Sequence, residues 1–310
     1  MTNRILKVGF IVFIFSLSHL QSFSQIDQLA ENYPELIHER TEVRTLHSNT
    51  LEQDYEILIS LPKSYYIKDT IYPVIFLLDP YRSFSIVKGY TDMLTSPYTY
   101  IPEVIIVGIG YGGNGPEAML NWALGRTRDL TPVKSAETED IYRKRLADAG
   151  APNVEVQTGG AALFLDFIKK ELFPFIETNY RIDKNERMLS GYSFGGLFAM
   201  YALFYEPGLF SKYFIGSPSI HFKDGITFDY ELNYASNHSD LEADVFISAG
   251  ELEDRTSQNI KKMVELLSSR NYENLILKMV IFENEGHVTC YPAAMSRGLV
   301  ELFSNEDDEN

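Results

Sequence analysis

Short apolar runs of strand length alternate with longer amphipathic stretches through most of the chain. Residues 43–46 and 55–61 are predicted to open the fold as strands, the second with Ile57, Ile59 and Leu61 on one face. Denser runs follow at residues 74–78, 104–109, 212–215, 245–248 and 275–281, with a shorter one at 187–190. Such runs suit a parallel sheet covered on both faces. Residues 160–178 are predicted helical, with Leu163, Phe164, Phe167, Ile168 and Leu172 at helical spacing and Pro174 kinking or ending the helix. Residues 194–205 are apolar nearly all round and predict a buried helix, whereas 257–269 and 291–303 are amphipathic. This alternation predicts a doubly wound α/β sheet in one domain. Residues 112–158, rich in Gly, Pro and charge, break it and are expected to form an insertion over the ligand-binding edge of the sheet.

The 310 residues are 45% hydrophobic, enough for one full-sized core. Lys and Arg number 27 against 43 Asp and Glu, a net charge of −16 that argues against nucleic-acid and anionic-membrane partners. Arg4 and Lys7 precede an apolar run at 8–17, and Ser22-Phe23-Ser24 has the small-x-small pattern read by signal peptidase. Residues 1–24 are therefore expected to be a signal peptide, because the run is shorter than the ~20 residues of a membrane span. Cleavage before Gln25 would remove Arg4 and Lys7, take the charge from −16 to −18 and export the protein to the periplasm or beyond. An uncleaved N-terminal anchor is the alternative. Residues 25–305 then form a single domain with an acidic tail at 306–310, without lasting membrane attachment and with no oligomeric state implied. Cys290, the sole cysteine, is expected to be a buried structural thiol.

One motif carries chemistry. Gly191-Tyr192-Ser193-Phe194-Gly195-Gly196 follows a short strand and opens the apolar helix, the setting of a G-x-S-x-G nucleophile elbow. The turn pushes the serine hydroxyl out of the sheet, and a Cβ at Gly191 or Gly195 is expected to collide with the neighbouring strand and helix. Ser193 also sits where a helix N-terminus favours developing negative charge.

A serine needs a histidine base oriented by an acid, and this elbow comes with the chain order Ser, acid, His. That order leaves His221, His238 and His287. His287, after the 275–281 strand and before the last helix, is the expected base, and the other two read as solvated loop residues. The acid should follow the 245–248 strand, where Glu251, Glu253 and Asp254 stand, with Glu253 leading. The oxyanion hole needs two backbone N–H groups, one from Phe194. The other is expected in Asp79-Pro80-Tyr81; Pro80 has no N–H, so Tyr81 is the donor.

Together these residues resemble the esterase family that includes enterochelin and salmochelin esterases, esterase D, feruloyl esterases and the mycobacterial antigen 85 mycolyltransferases. Further landmarks are Leu77-Leu78-Asp79, Arg126-Thr127-Arg128-Asp129, Thr158-Gly159-Gly160, Gly216-Ser217-Pro218-Ser219 and Gly286-His287. The Arg-x-Arg-Asp and Gly-Ser-Pro-Ser segments are most similar to the siderophore-esterase branch. The resemblance implies an α/β-hydrolase fold, a Ser193–Glu253–His287 triad, Tyr81 and Phe194 at the oxyanion hole, and no metal or organic cofactor. It implies a small-molecule or oligosaccharide ester as substrate: a siderophore ester, or a feruloyl or acetyl ester of plant polysaccharide. Arg126 and Arg128 are candidate contacts for an anionic substrate. The chain departs from the branch in having Pro80 where glycine is usual and Ile220-His221 where aromatics often follow Ser-Pro-Ser.

Other readings carry less of the pattern. Gly108-Ile109-Gly110-Tyr111-Gly112-Gly113 matches a dinucleotide fingerprint, but it is not on the first strand and Pro116 interrupts the expected helix start. Glu283, Glu285 and His287 alternate as metal ligands could, without a second cluster. A non-catalytic esterase-like binding protein would not need the full Ser, acid and His set.

Overall fold

The computed structural model describes residues 38–95, 99–113 and 115–303. Contacts divide the chain into a unit Met1–Glu39, nearly all of it outside the described residues, and a unit Arg40–Asn310 that holds the sheet. The expected signal peptide 1–24 and acidic tail 306–310 lie outside the described residues.

The strands are β1 (Thr41–Ser48), β2 (Gln53–Ser60), β3 (Tyr72–Leu78), β4 (Ile105–Gly110), β5 (Ile182–Tyr192), β6 (Lys212–Gly216), β7 (Ala243–Gly250) and β8 (Leu275–Phe282). They form one eight-stranded sheet in the order β1-β2-β4-β3-β5-β6-β7-β8. β1–β2 and β2–β4 are antiparallel, and every pairing from β4 to β8 is parallel. The helices are α1 (Pro80–Thr95), α2 (Pro116–Asp129), α3 (Ala136–Asp148), α4 (Ala161–Phe167), α5 (Phe173–Asn179), α6 (Phe194–Tyr205), α7 (Ile226–Asn237), α8 (Asp254–Arg270) and α9 (Cys290–Phe303).

Period-2 alternation sorts each strand between two cores. Ile75 and Leu77 of β3, Ile106, Met188, Phe214 and Phe246 face α1 and α9, which contribute Phe84, Val87, Met295 and Leu299. Val74, Phe76 and Leu78 of the same strand face the larger core with Leu189, Tyr213, Val245 and the helices α4, α6 and α8. β3 and β5 are neighbours, yet the helix after β3 covers one face and the helix after β5 covers the other. Where successive helices diverge in this way, an open α/β sheet binds ligands in the crevice outside the carboxyl ends of its strands.

Several elements differ from the sequence expectation. α1 was not predicted, although Pro80 is a favoured first helical residue. Its inner face is masked by polarity, for Ser83, Lys88 and Thr91 are buried beside Phe84, Val87 and Leu94. α7 was also missed, its buried side including Thr227 and Glu231, the latter held by Arg270 at 2.7 Å. Segment 112–158 holds two helices among its described residues, α2 and α3. Ser135 caps α3 by accepting the Thr138 N–H, and buried Glu139 accepts from both the N–H and hydroxyl of Thr158. The 160–178 helix divides into α4, a π-helical turn Ile168–Leu172 and α5. Pro174 stands in the first turn of α5, so the wider turn before it accommodates the missing N–H without ending the run. β5 begins at Ile182, five residues before the run at 187–190, because Asp183, Lys184, Asn185 and Glu186 extend it in partly exposed surroundings.

Candidate active site

Each element that ends at the carboxyl edge delivers one part of the site. β5 ends at Tyr192, and Ser193 turns at φ 60° and ψ −115° into α6. A serine at positive φ is strained, and neighbours hold it there. Its N–H donates to the Gly216 carbonyl at 3.0 Å, and its carbonyl accepts from the N–H groups of Leu197 and Ser219, both at 3.0 Å. A Cβ at Gly191 would run into the Gly195 carbonyl oxygen, so that glycine is obligatory. Gly195 itself is not crowded: a Cβ there would meet Leu78 at an ordinary 3.5 Å. The tight second position is Gly196, whose Cβ would lie 2.9 Å from the Gly216 carbonyl.

β7 ends at Gly250, and Glu253 stands immediately before α8. β8 is followed by the turn that carries His287. His287 Nδ1 lies 2.5 Å from Glu253 Oε2. The other carboxylate oxygen, Oε1, accepts from the Ser217 hydroxyl at 2.7 Å and the Gly250 N–H at 3.0 Å. Burial pushes the Glu253 carboxyl up, but the hydrogen bonds from His287, Ser217 and Gly250 outweigh it and hold the group below the usual carboxylate range. An ionised carboxylate only accepts, so Nδ1 bears the proton of the neutral ring and Nε2 keeps its lone pair. Glu251 instead accepts the Asn284 N–H at 2.9 Å, and Asp254 is an exposed residue in the first turn of α8.

The Phe194 and Tyr81 N–H groups belong to the first turns of α6 and α1, where helical amides have no intrahelical partner. The two turns adjoin, since Gly195 packs on Leu78 and Asp79. Asp79, at φ 53°, anchors this corner. Its carboxylate accepts from Arg126 Nε and Nη2, both at 3.0 Å, and from the Trp122 indole N–H at 2.7 Å. The Arg126 guanidinium also lies 5.1 Å from the centre of the Phe194 ring, on which Tyr142 stacks. Arg128 pairs with fully buried Asp129 at 2.6 Å, and Asp129 accepts the Tyr55 hydroxyl as well. Both arginines are thus committed to carboxylates of the chain. Trp122, Arg126 and Tyr142 thus bring α2 and α3 against Asp79 and Phe194.

The remaining candidates find other surroundings. His238 is exposed at the end of α7, stacked on Tyr234 at 4.2 Å. His221 is not the solvated loop residue expected of it: its Nδ1 is buried without a hydrogen-bond partner among the described residues. Burial and the nearby charges of Arg255 and His287 keep its pKa below the usual histidine value. The glycines of the 108–113 loop make room for α1: Cβ atoms at Gly108 and Gly110 would lie 2.7 Å from Pro80 and 2.9 Å from the Tyr81 hydroxyl. Among the described residues no group of His, Cys, Asp and Glu is placed to hold a metal ion. Cys290 is fully buried, which pushes its thiol up to about 11. Ser217 and Tyr192 touch the acid and the histidine loop; both stand in motifs visible in the sequence, which gave neither a role of its own.

Comparison with known proteins agrees with this architecture. The family model described as "Putative esterase" matches residues 48–149 and 131–296. The ferri-bacillibactin esterase BesA of Bacillus subtilis is 30% identical over 267 residues, covering 84% of this chain and 88% of BesA. The crystal structure of the BES protein from Bacillus cereus superposes with a TM-score of 0.75 at 31% identity, over 88% of this chain and all (100%) of that one. An IroE-like serine hydrolase from Shewanella oneidensis gives 0.70 at 26% identity, over 85% and 80% of the two chains. A mostly parallel eight-stranded sheet with this elbow is the α/β-hydrolase type, and the chain belongs to the esterase family of hydrolases.

Proposed function

We propose that the protein is an exported serine carboxylic-ester hydrolase acting on siderophore esters. The observation that carries the mechanism is the 2.5 Å contact between Glu253 and His287 beside the strained Ser193 turn. In the first step Ser193 Oγ attacks the ester carbonyl while His287 Nε2 takes its proton. The oxyanion is held by the Phe194 and Tyr81 N–H groups, and Glu253 stabilises the imidazolium. His287 then returns the proton to the leaving alkoxide as the carbon–oxygen bond breaks. Water, deprotonated by His287, attacks the acyl-enzyme and releases the acid and Ser193.

Siderophore esters are favoured by the likeness to ferri-bacillibactin esterase and by two cations at the crevice. Arg82, in the first turn of α1, lies over the Trp122 ring at 4.5 Å. Arg255, in the first turn of α8, follows Glu253 by two residues. Both are exposed and without an ion pair among the described residues, so they can receive an anionic catecholate on an otherwise acidic protein. Export rests on the N-terminal signal pattern; among the described residues no helix is long and apolar enough to cross a membrane.

Hydrolysis of a short p-nitrophenyl ester and of a panel of siderophore trilactones and acylated xylan fragments tests the reading. Trilactones should be cleaved fastest, and Ser193→Ala and His287→Ala should each abolish hydrolysis and fluorophosphonate labelling. Activity surviving in either variant would refute the assignment, and preference for acylated xylan would refute the substrate class.

A further inference from the structure

Two hydroxyls lie behind the acid and the histidine, and the acyl-transfer steps do not use them. Tyr192 is the last residue of β5, directly before Ser193. Its ring lies over Gly216, where any Cβ would collide with it, and edge-on to Tyr291 at 4.9 Å. From there the phenol oxygen lies 2.7 Å from the Ser217 hydroxyl and donates to the His287 carbonyl at 2.7 Å. Ser217 follows β6, is only 1% exposed and adopts φ 34°, a region that favours glycine. Its N–H donates to the Ser248 carbonyl at 2.7 Å, and its hydroxyl donates to Glu253 Oε1 at 2.7 Å.

The proton inventory fixes the direction of this chain. The ionised carboxylate only accepts, so the one Ser217 proton goes to Glu253. The one Tyr192 proton then lies between two acceptors, Ser217 Oγ and the His287 carbonyl. Each donor polarises the next. Sheet order accounts for the convergence, because β5, β6 and β7 are adjacent and end at one edge.

On the serine-esterase reading, we infer that Ser217 and Tyr192 are positioning residues: Ser217 orients the Glu253 carboxylate toward His287, and Tyr192 fixes the His287 backbone relative to the neighbouring nucleophile. The retained serine at a glycine-like φ supports this. A structural turn alone would be served better by glycine, so the hydroxyl has a use that outweighs the backbone strain. The same hydrogen bond also helps keep the Glu253 carboxyl below its usual range.

Ser217→Gly separates the two roles, since it relieves the backbone while deleting the hydroxymethyl group that carries the hydroxyl. Relief of the backbone offsets part of the lost hydrogen bond, so it should melt within a few degrees of the wild type, yet lose about 10- to 100-fold in kcat on a p-nitrophenyl ester with KM unchanged, the loss of one charge-assisted hydrogen bond. Tyr192→Phe keeps the ring and should lose roughly 3- to 10-fold in kcat, again with KM unchanged. The double variant should lose less than the product of the two, because both act through one chain. Wild-type kcat in both single variants would overturn the inference, as would losses that merely follow a lowered melting temperature. Ser193→Ala run in parallel keeps the outcomes apart. If it remains active the serine reading fails; if it is dead while Ser217→Gly and Tyr192→Phe are fully active, only the positioning role fails.

Discussion

The Arg126 guanidinium holds both carboxylate oxygens of Asp79, Nε on Oδ1 and Nη2 on Oδ2, each at 3.0 Å. Asp79 directly precedes α1, and Tyr81, two residues on, lies in the first turn of that helix. On the proposed mechanism the arginine therefore acts on the oxyanion hole through Asp79. Burial works against its charge, but Asp79 outweighs this and holds the guanidinium above its ordinary pKa.

Arg126→Ala should accordingly cost about 3–5 kcal/mol of stability, the range for breaking a buried ion pair, because Asp79 would remain uncompensated. Arg126→Lys, which cannot make the forked contact, should be better folded but still slow. In that variant kcat should fall for neutral and anionic esters alike. A defect confined to the KM of anionic esters, measured by steady-state kinetics, would instead mark Arg126 as a substrate contact.

The two glycines of the G-x-S-x-G pattern are not equivalent here. A Cβ at residue 191 would occupy the space of the Gly195 carbonyl, whereas one at residue 195 meets nothing closer than 3.5 Å. Gly191→Ala should fail to accumulate as folded protein, and Gly195→Ala should fold and keep activity within about threefold, as helix propensity even favours Ala there. Circular dichroism melts and ester hydrolysis of the two variants check this; equal damage from both would contradict the packing described.

Arg82 and Arg255 should affect anionic substrates selectively. Neither is tied to a carboxylate among the described residues, so Arg82→Ala and Arg255→Ala should leave kcat/KM on a neutral p-nitrophenyl ester unchanged. On a catecholate trilactone each should raise KM by roughly 3- to 10-fold, with an effect that fades at high salt. Unaltered KM in the double variant would remove these residues from substrate recognition.

The sequence reveals the parts of this site that local structure determines. The elbow is written in six consecutive positions, because strand, turn and helix all meet there. Glu253 and His287 can be anticipated because each follows its own strand. The supporting contacts cannot. Tyr192, Ser217 and Glu253 lie 25 and 36 residues apart and meet only because three strands are adjacent in the sheet. Arg126 and Asp79 are separated by 47 residues, so the Arg-x-Arg-Asp segment suggested a surface for ligands and gave no hint of its internal partners. α1 escaped notice because its inner face carries Lys88, whose ammonium finds Asp92 at 2.7 Å while its stem is buried.

The acid of the site should also be visible in the pH dependence of stability. The Glu253 carboxyl is held below its ordinary value of 4.5 in the folded protein, against burial, by His287, Ser217 and the Gly250 N–H. A carboxylate with a depressed folded pKa binds its proton more readily when unfolded, so the folded state gains stability as pH rises through this range. That contribution is fully present above 4.5 and is lost as pH falls through the lower, folded value. Glu253→Gln does not titrate and lacks the contribution at every pH. The wild type should therefore melt above Glu253→Gln by a margin that holds above pH 4.5 and narrows as the pH falls below it. Melting both proteins across that range checks the sign directly. A margin that widened on acidification would mean that the carboxyl is held protonated, and would remove the ionised acid on which His287 relies.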